Sequence, residues 1–282
     1  MINRRKFLKS TSKLTGLALL AGVYTWKVEP YWLEFVHRRL PIRHLPDQLA
    51  GKTLMQISDI HVGNRFDNQF LEDSLAEAAA LKPDIVVYTG DYVSWEGPEQ
   101  YAQLCKVLSK APLGKLGTYA ILGNHDYGKN WEEDGVVEGI IGLLQEAGIT
   151  VLRNEVATVN GLNIIGFDDL WGKNFNPKAA MQDYDAEAAN LVLCHNPDVC
   201  DMDVWRGYQG WILAGHTHGG QCKPPFLAPP LLPVKNKTYT AGAFDLGDGR
   251  QLYINRALGS SWPVRFNVRP EVTVFGLEST SV

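Results

Sequence analysis

Apolar positions between residues 53 and 148 follow two rhythms in turn. Residues 53–58 (TLMQIS), 84–88 (DIVVY) and 118–122 (TYAIL) are short apolar runs, the signature of strands buried on both faces. After each run, at 68–81, 98–110 and 136–147, apolar residues recur at helical spacing. Pro98 stands near the start of the second such stretch, and Gly148 directly follows the third, where a helix stop is expected. Strand and helix in this alternation predict a parallel sheet covered by helices. The later half reads differently. Residues 156–159 and 162–166 flank Asn160-Gly161, a hairpin signal. Further strands are predicted at 191–194, 211–214, 251–255 and 272–277, with fewer helices between them. They point to a second, more antiparallel sheet stacked on the first. Residues 223–234 (KPPFLAPPLLPV) hold five prolines among five large apolar residues, which excludes a central strand.

The N-terminus reads as an address before it reads as structure. Arg4-Arg5 followed by Phe7-Leu8-Lys9 resembles a bacterial twin-arginine export signal. The apolar stretch that follows, 14–25, is shorter than the roughly twenty residues that span a hydrocarbon core. Residues 1–26 are therefore set apart as a signal or membrane anchor. Next come Tyr31, Trp32 and Phe35 beside Lys27, Arg38, Arg39 and Arg43, a mixture suited to the headgroup zone of a bilayer. This makes 27–51 a juxtamembrane linker and 52–282 the catalytic domain.

Composition narrows the partners. With 282 residues, 45% of them hydrophobic and 21% charged, the chain is an ordinary globular one. Its net charge of -4 argues against nucleic-acid binding by bulk positive charge. Its four cysteines form no C-x-x-C pair, so a disulfide scaffold and a zinc ribbon are both excluded.

The candidate chemistry lies at strand ends. His61, His125, His195, His216 and His218 each follow a predicted strand, as do Asp59, Asp91 and Asn124. In α/β sheets the carboxyl ends of parallel strands form the ligand rim. In an extended segment residues two apart point the same way, so Asp59/His61 and His216/His218 can each aim two donors at one place. Singly, a Gly-Asp or a loop histidine means little.

Together, D-x-H at 59–61, Gly90-Asp91, Gly123-Asn124-His125-Asp126, His195 and Gly215-His216-Thr217-His218 resemble the calcineurin-like metallophosphoesterase family, over residue 52 to the C-terminus. The N-terminus and the GHTHGGQ form are most similar to its membrane-associated YaeI/YkuE-like phosphodiesterase branch. The resemblance implies a four-layer α/β/β/α sandwich. It implies one divalent ion held by Asp59, His61, Asp91 and His218, and a second held by Asp91, Asn124, His195 and His216. His125 would then be a catalytic acid, with Asp126 a candidate to orient it. Oxygen and nitrogen donors without thiolate suit Mn²⁺, Fe²⁺ or Zn²⁺. Where some relatives carry an acid after Gly-Asp, this chain has Ser94, which leaves that position's role open.

The implied activity is hydrolysis of a phosphodiester or pyrophosphate. The Pro-rich segment, with Phe226, Leu227, Leu231 and Leu232, is a candidate apolar lip. Asp168, Asp169 and Trp171 are candidates to line the cleft, and Arg256, Arg265 and Arg269 to read a second phosphate. An amphiphilic substrate met at a membrane surface fits these features, and the branch points to UDP-2,3-diacylglucosamine. That substrate belongs to the cytoplasmic face, whereas twin-arginine export leads to the periplasmic face of the inner membrane. An exported phosphomonoesterase or nucleotidase, and a non-catalytic scaffold, are the alternatives.

Overall fold

The structure is a computed structural model that describes residues 4–280, with side chains from Thr11 onward. The side chains of the Arg4-Arg5 pair, read above as an export signal, lie outside the described residues. Among the described residues the five α-helices are α1 (Arg4–Lys27), α2 (Asn68–Ala80), α3 (Glu99–Leu108), α4 (Asp134–Glu146) and the short α5 (Pro177–Ala180). The strands are β1 (Glu34–Arg43), β2 (Thr53–Ile57), β3 (Ile85–Thr89), β4 (Gly117–Ile121), β5 (Thr150–Val151) and β6 (Glu155–Val159). They continue with β7 (Leu162–Gly166), β8 (Ala189–Leu193), β9 (Trp211–Ala214), β10 (Gly242–Asp245), β11 (Gln251–Ile254) and β12 (Glu271–Thr280).

They form two six-stranded mixed sheets, ordered β1-β12-β2-β3-β4-β5 and β10-β11-β9-β8-β7-β6. Alternation along each strand sorts its side chains between layers. Leu54, Ile85, Val87 and Ile121 point inward, against Leu162, Ile164, Leu191, Leu193 and Leu213 of the second sheet. Met55, Ile57, Val86 and Tyr88 point outward, against Leu71 and Leu75 of α2, Leu104 and Val107 of α3, and Ile140 and Leu144 of α4. Burial on both faces explains why β2 and β3 read as unbroken apolar runs. The outer face of the second sheet is covered by Phe167, Met181, Val199, Trp205 and Tyr208, from loops and short helical turns. The layers are thus α/β/β/α, with a thin fourth layer.

Two expectations need correction. Residues 27–51 are not merely a linker: β1 pairs in parallel with β12 along ten residues, from Glu34 opposite Glu271 to Arg43 opposite Thr280. Leu40 and Ile42 enter the inter-sheet core, while Arg38 and Arg39 face solvent. An edge strand of this kind mixes apolar, basic and proline residues, the same composition that suits a headgroup zone. The second sheet is the more antiparallel of the two, as expected, although most of its pairs are parallel. Its β11-β9, β9-β8 and β8-β7 pairs are parallel, and only β10-β11 and β6-β7 are antiparallel. The last strand, β12, joins the first sheet, antiparallel to β2. Among the described residues no helix is long and apolar enough to cross a membrane.

Candidate metal centre

Strands β2, β3, β4, β8 and β9 all run parallel to a neighbour and end on the same rim. The loop after each delivers a donor: Asp59 and His61, Asp91, Asn124, His195, and His216 and His218. All are buried. Asp59, His61, Asp91 and His218 place one donor atom each within 4.8 Å of one another, and so do Asp91, His195 and His216. Asp91 belongs to both groups.

The distances suit cations. His61 Nε2 and His218 Nε2 are 3.0 Å apart, and His195 Nε2 and His216 Nδ1 are 3.2 Å apart. Two nitrogens about 2.1 Å from one ion lie about 3.0 Å apart at right angles and about 3.4 Å apart in a tetrahedron. Asp59 Oδ1 is 3.1 Å from His218 Nε2, and Asp91 Oδ2 is 3.5 Å from His61 Nε2 and 3.3 Å from His195 Nε2. Asn124 holds its amide oxygen 3.0 Å from His216 Nδ1, acceptor against acceptor. Turning the amide over would give hydrogen bonds to His216, His125 and Trp131 instead. A cation shared by the oxygen and the imidazole would make the unturned arrangement favourable.

Outer contacts choose the tautomers. His195 Nδ1 donates to the Thr89 carbonyl at 2.7 Å, and His216 Nε2 to the Pro233 carbonyl at 3.0 Å. Each imidazole then aims its lone pair at the centre. His61 Nδ1 lies 3.3 Å from Ser94 Oγ and 3.4 Å from Ser261 Oγ. Ser94, the position left open above, therefore supports a candidate ligand. No motif marks Ser261, 200 residues away from His61 in sequence.

Charge follows geometry. Burial, helped by His195, drives the His216 imidazole down to about 3. Burial likewise pushes His61 well below its ordinary value. Burial opposes charge on Asp59 too, yet His218 and His195 hold its carboxyl at about 2. Burial also opposes charge on Asp91, where His195 and His125 prevail and keep it well below the carboxylate range. Burial opposes charge on His195 as well, but Asp91 and Asp59 raise it well above its ordinary value. Ionised carboxylates and neutral imidazoles are the forms that ligate divalent ions, so His195 must give up a proton when an ion binds.

The backbone reaches this arrangement by a route that residue spacing did not reveal. Asp59 (φ 52°), His61 (φ 51°), Asp91 (φ 57°), His216 (φ 70°) and His218 (φ 51°) are all left-handed, not extended. Such conformations in non-glycine residues carry strain and cluster at functional sites. Gly215 lets the His216 loop close on β2, since a Cβ there would collide with Ser58 Oγ and the Asp59 carboxylate.

The model of the calcineurin-like phosphoesterase family matches residues 52–220. The chain is 34% identical to phosphodiesterase YaeI of Escherichia coli, covering 98% of this chain and 100% of that one. It is 32% identical to the metallophosphoesterase YkuE of Bacillus subtilis, over 99% of each. It is 29% identical to the UDP-2,3-diacylglucosamine pyrophosphatase LpxG of Chlamydia trachomatis, over 93% of this chain and 95% of that one. The chain belongs to the calcineurin-like phosphoesterase family. It is a metal-dependent phosphoesterase.

In this calcineurin-like phosphoesterase a cavity of about 590 Å³ opens above the centre. His61, Asp91, Asn124, His125, His216 and His218 line its floor; Trp131, Trp171, Leu231, Leu232, Trp262 and Val264 are among its walls. The His125 ring lies edge-on to His61, 5.0 Å away, and its backbone N–H donates to Asp91 Oδ1 at 2.8 Å. Trp131 and Trp171 pack at 4.6 Å, and Trp171 meets His216 edge-on at 4.7 Å.

Several candidates fall elsewhere. The Asp126 carboxylate does not orient His125; it accepts the backbone N–H groups of Asp91, Tyr92 and Gly123 and pins two loops together. Asp168 pairs with Arg153 and Tyr127. Asp169 is buried and does not line the cavity; of these three candidates only Trp171 does. Of the lip, Leu231 and Leu232 reach the cavity, while Phe226 and Leu227 are exposed outside it. None of the three arginines lines it. Arg256 pairs with Glu271 and Glu34, Arg265 is buried on the carbonyls of Arg256, Ala257, Gly259 and Val268, and Arg269 stacks on Trp32.

Proposed function

We propose that this protein hydrolyses a phosphodiester or pyrophosphate bond in an amphiphilic substrate, using two divalent ions. The observation that carries the reading is Asp91, buried and common to both donor groups at the floor of a cavity with apolar walls. Asp59, His61, Asp91 and His218 hold the first ion. Asp91, Asn124, His195 and His216 hold the second. Mn²⁺, Fe²⁺ and Zn²⁺ all suit the donors. When bound, such a pair supplies Lewis acidity toward phosphoryl oxygens and acidifies water for attack near neutral pH.

The chain's own residues do the rest. His125 delivers a proton from its imidazole to the departing oxygen. Its backbone bond to Asp91 keeps that ring beside the floor. Trp131, Trp171 and Leu231 exclude water and receive the non-phosphate part of the substrate. UDP-2,3-diacylglucosamine, named in the LpxG relative, is the sharpest candidate, because its acyl chains suit the Leu231, Leu232, Trp262 and Val264 wall. The N-terminus serves as a twin-arginine signal, retained at the periplasmic face of a bacterial inner membrane. At that face another lipid-linked phosphoester takes the nucleotide's place; cleavage of UDP-2,3-diacylglucosamine would instead put the chain on the cytoplasmic face.

The test combines elemental analysis of the full chain with hydrolysis of bis-p-nitrophenyl phosphate, p-nitrophenyl phosphate and UDP-2,3-diacylglucosamine, with and without EDTA. We expect about two ions per chain, diester cleavage ahead of monoester cleavage, and loss of both with EDTA. Monoester cleavage in large excess would favour an exported phosphomonoesterase. A chain that takes up no metal would be a scaffold.

A further inference from the structure

We infer that α1, the wall at Trp262–Val264 and the Pro-rich lip form one surface that docks on an anionic lipid bilayer, with the cavity mouth opening at the lipid interface. The inference rests on the proposed amphiphilic substrate and adds where the protein meets it.

The first observation is α1. From Thr11 to Val23 every residue is exposed, and Leu14, Leu17, Leu19, Leu20 and Val23 are each 49–69% exposed. At about 100° per residue these five spread round more than half of the helix. A helix that is apolar over so much of its circumference calls for an apolar phase around it. Its sequence carries Arg4, Arg5, Lys6, Lys9, Lys13 and Lys27 and no acidic residue, which complements anionic headgroups.

The second observation lies on the body. Phe226 is fully exposed, Leu227 and Leu231 are 64% and 79% exposed, and Trp262 is 62% exposed. Prolines 224, 225, 229, 230 and 233 remove five backbone donors from this segment, which lowers the cost of setting it against hydrocarbon. Trp26, Trp32 and Trp262 each carry a cation over the ring: Lys27 at 3.9 Å, Arg269 at 4.2 Å and Arg65 at 4.6 Å. Tryptophan beside a cation is the chemistry of the headgroup layer.

The third observation joins these parts. The Thr25 carbonyl, at the end of α1, accepts the Arg265 N–H at 3.0 Å. Gln221 Nε2 donates to the carbonyls of Trp262 and Val264, and Lys223 N donates to the Phe266 carbonyl at 2.8 Å. Helix end, cavity wall and lip base are thus bonded in series, starting three residues after His218. Because α1, with 24 residues, is long enough but not apolar enough to cross a bilayer, the lip supplies the second contact that stable attachment needs.

The test is flotation of the full-length protein with vesicles of phosphatidylcholine alone or mixed with phosphatidylglycerol, for wild type, Phe226→Glu/Leu227→Glu and the control Val156→Glu on edge strand β6. Neither Phe226 nor Leu227 lines the cavity. Circular dichroism confirms folding, and bis-p-nitrophenyl phosphate hydrolysis in detergent-free buffer reports the centre separately. We expect wild type and Val156→Glu to float with the mixed vesicles, more strongly than with phosphatidylcholine alone. The double variant should bind at least about tenfold more weakly, with its rate on the soluble diester unchanged. Equal flotation of the double variant overturns the inference, as does wild type that fails to float. A self-associated dimer that the double variant breaks, without vesicle binding, would give the surface to a second copy and equally overturn it. Failure of the hydrolase reading would appear in the soluble assay alone.

Discussion

The Asp91 carboxylate accepts the backbone N–H of His125 through Oδ1 at 2.8 Å, while its Oδ2 lies 3.3 Å from His195 Nε2 and 3.5 Å from His61 Nε2. One side chain therefore links both donor groups and also seats the candidate acid. Asp91→Asn keeps an oxygen for the His125 amide and removes only the charge. We expect it to lose metal at both positions, and to lose more than the roughly 100-fold in rate that even an outer-contact change can cost. Elemental analysis showing two ions still bound would exclude a bridging role.

His125→Ala should behave in the opposite way. Metal content stays near wild type, because the backbone bond to Asp91 survives. The rate on an alkyl phosphodiester falls about 10²–10⁴-fold. Diesters with a p-nitrophenolate leaving group, which needs little protonation, lose much less. Equal losses on the two substrates would show that His125 does not deliver the proton.

Ser94 and Ser261 both approach His61 Nδ1. Removing both hydroxyls in Ser94→Ala/Ser261→Ala frees the imidazole to rotate or change tautomer. Metal affinity should fall about 10–100-fold, and Ser94→Thr should keep most of it. Metal titration at fixed pH checks this. Wild-type affinity in the double variant would leave His61 held by packing alone.

Asp169 gives a pH signature. Burial raises its carboxyl to about 7, with His195 opposing and Asp91 among the groups reinforcing the rise. Its Oδ2 has no partner, whereas Oδ1 accepts the Trp171 N–H at 2.8 Å. The folded state thus binds this proton more tightly than the unfolded chain, whose value is about 3.9. The stability contributed is complete below about pH 4 and is lost as pH rises through about 7, with an upper bound of roughly 4 kcal/mol. Asp169→Asn should remove this slope, so that at pH 8 the metal-free variant unfolds at a higher temperature than wild type. Thermal unfolding in EDTA at pH 5 and pH 8 tests it; parallel shifts in the two proteins would disprove the assignment.

The donors were legible because each sits in a short local motif directly after an apolar strand, and the strands themselves are buried on both faces. What escaped was non-local or conformational. β1 was hidden because an edge strand needs only one buried face, and Arg38 and Arg39 mask Leu40 and Ile42. The sheet membership of β12 depends on long-range pairing that its own residues do not encode. The left-handed backbone at Asp59, His61, Asp91, His216 and His218 is a minority conformation that Asp and His tolerate better than most non-glycine residues, but no local pattern announces it. The spacing argument thus reached the right side chains through the wrong backbone. Asp126 looked like an imidazole partner because it adjoins His125, yet its oxygens were already taken by four backbone N–H groups.

The seam between β1 and β12 also limits how the N-terminus can mature. Glu29 is buried and accepts the Val268 N–H at 2.6 Å, and β1 begins five residues later. A peptidase that cut upstream of Glu29 would release an intact body. One that cut between Glu34 and Lys52 would strip a ten-residue border from the first sheet and leave β12 open to pairing with other chains. Any cleavage compatible with a monodisperse enzyme is therefore confined to the residues before Glu29.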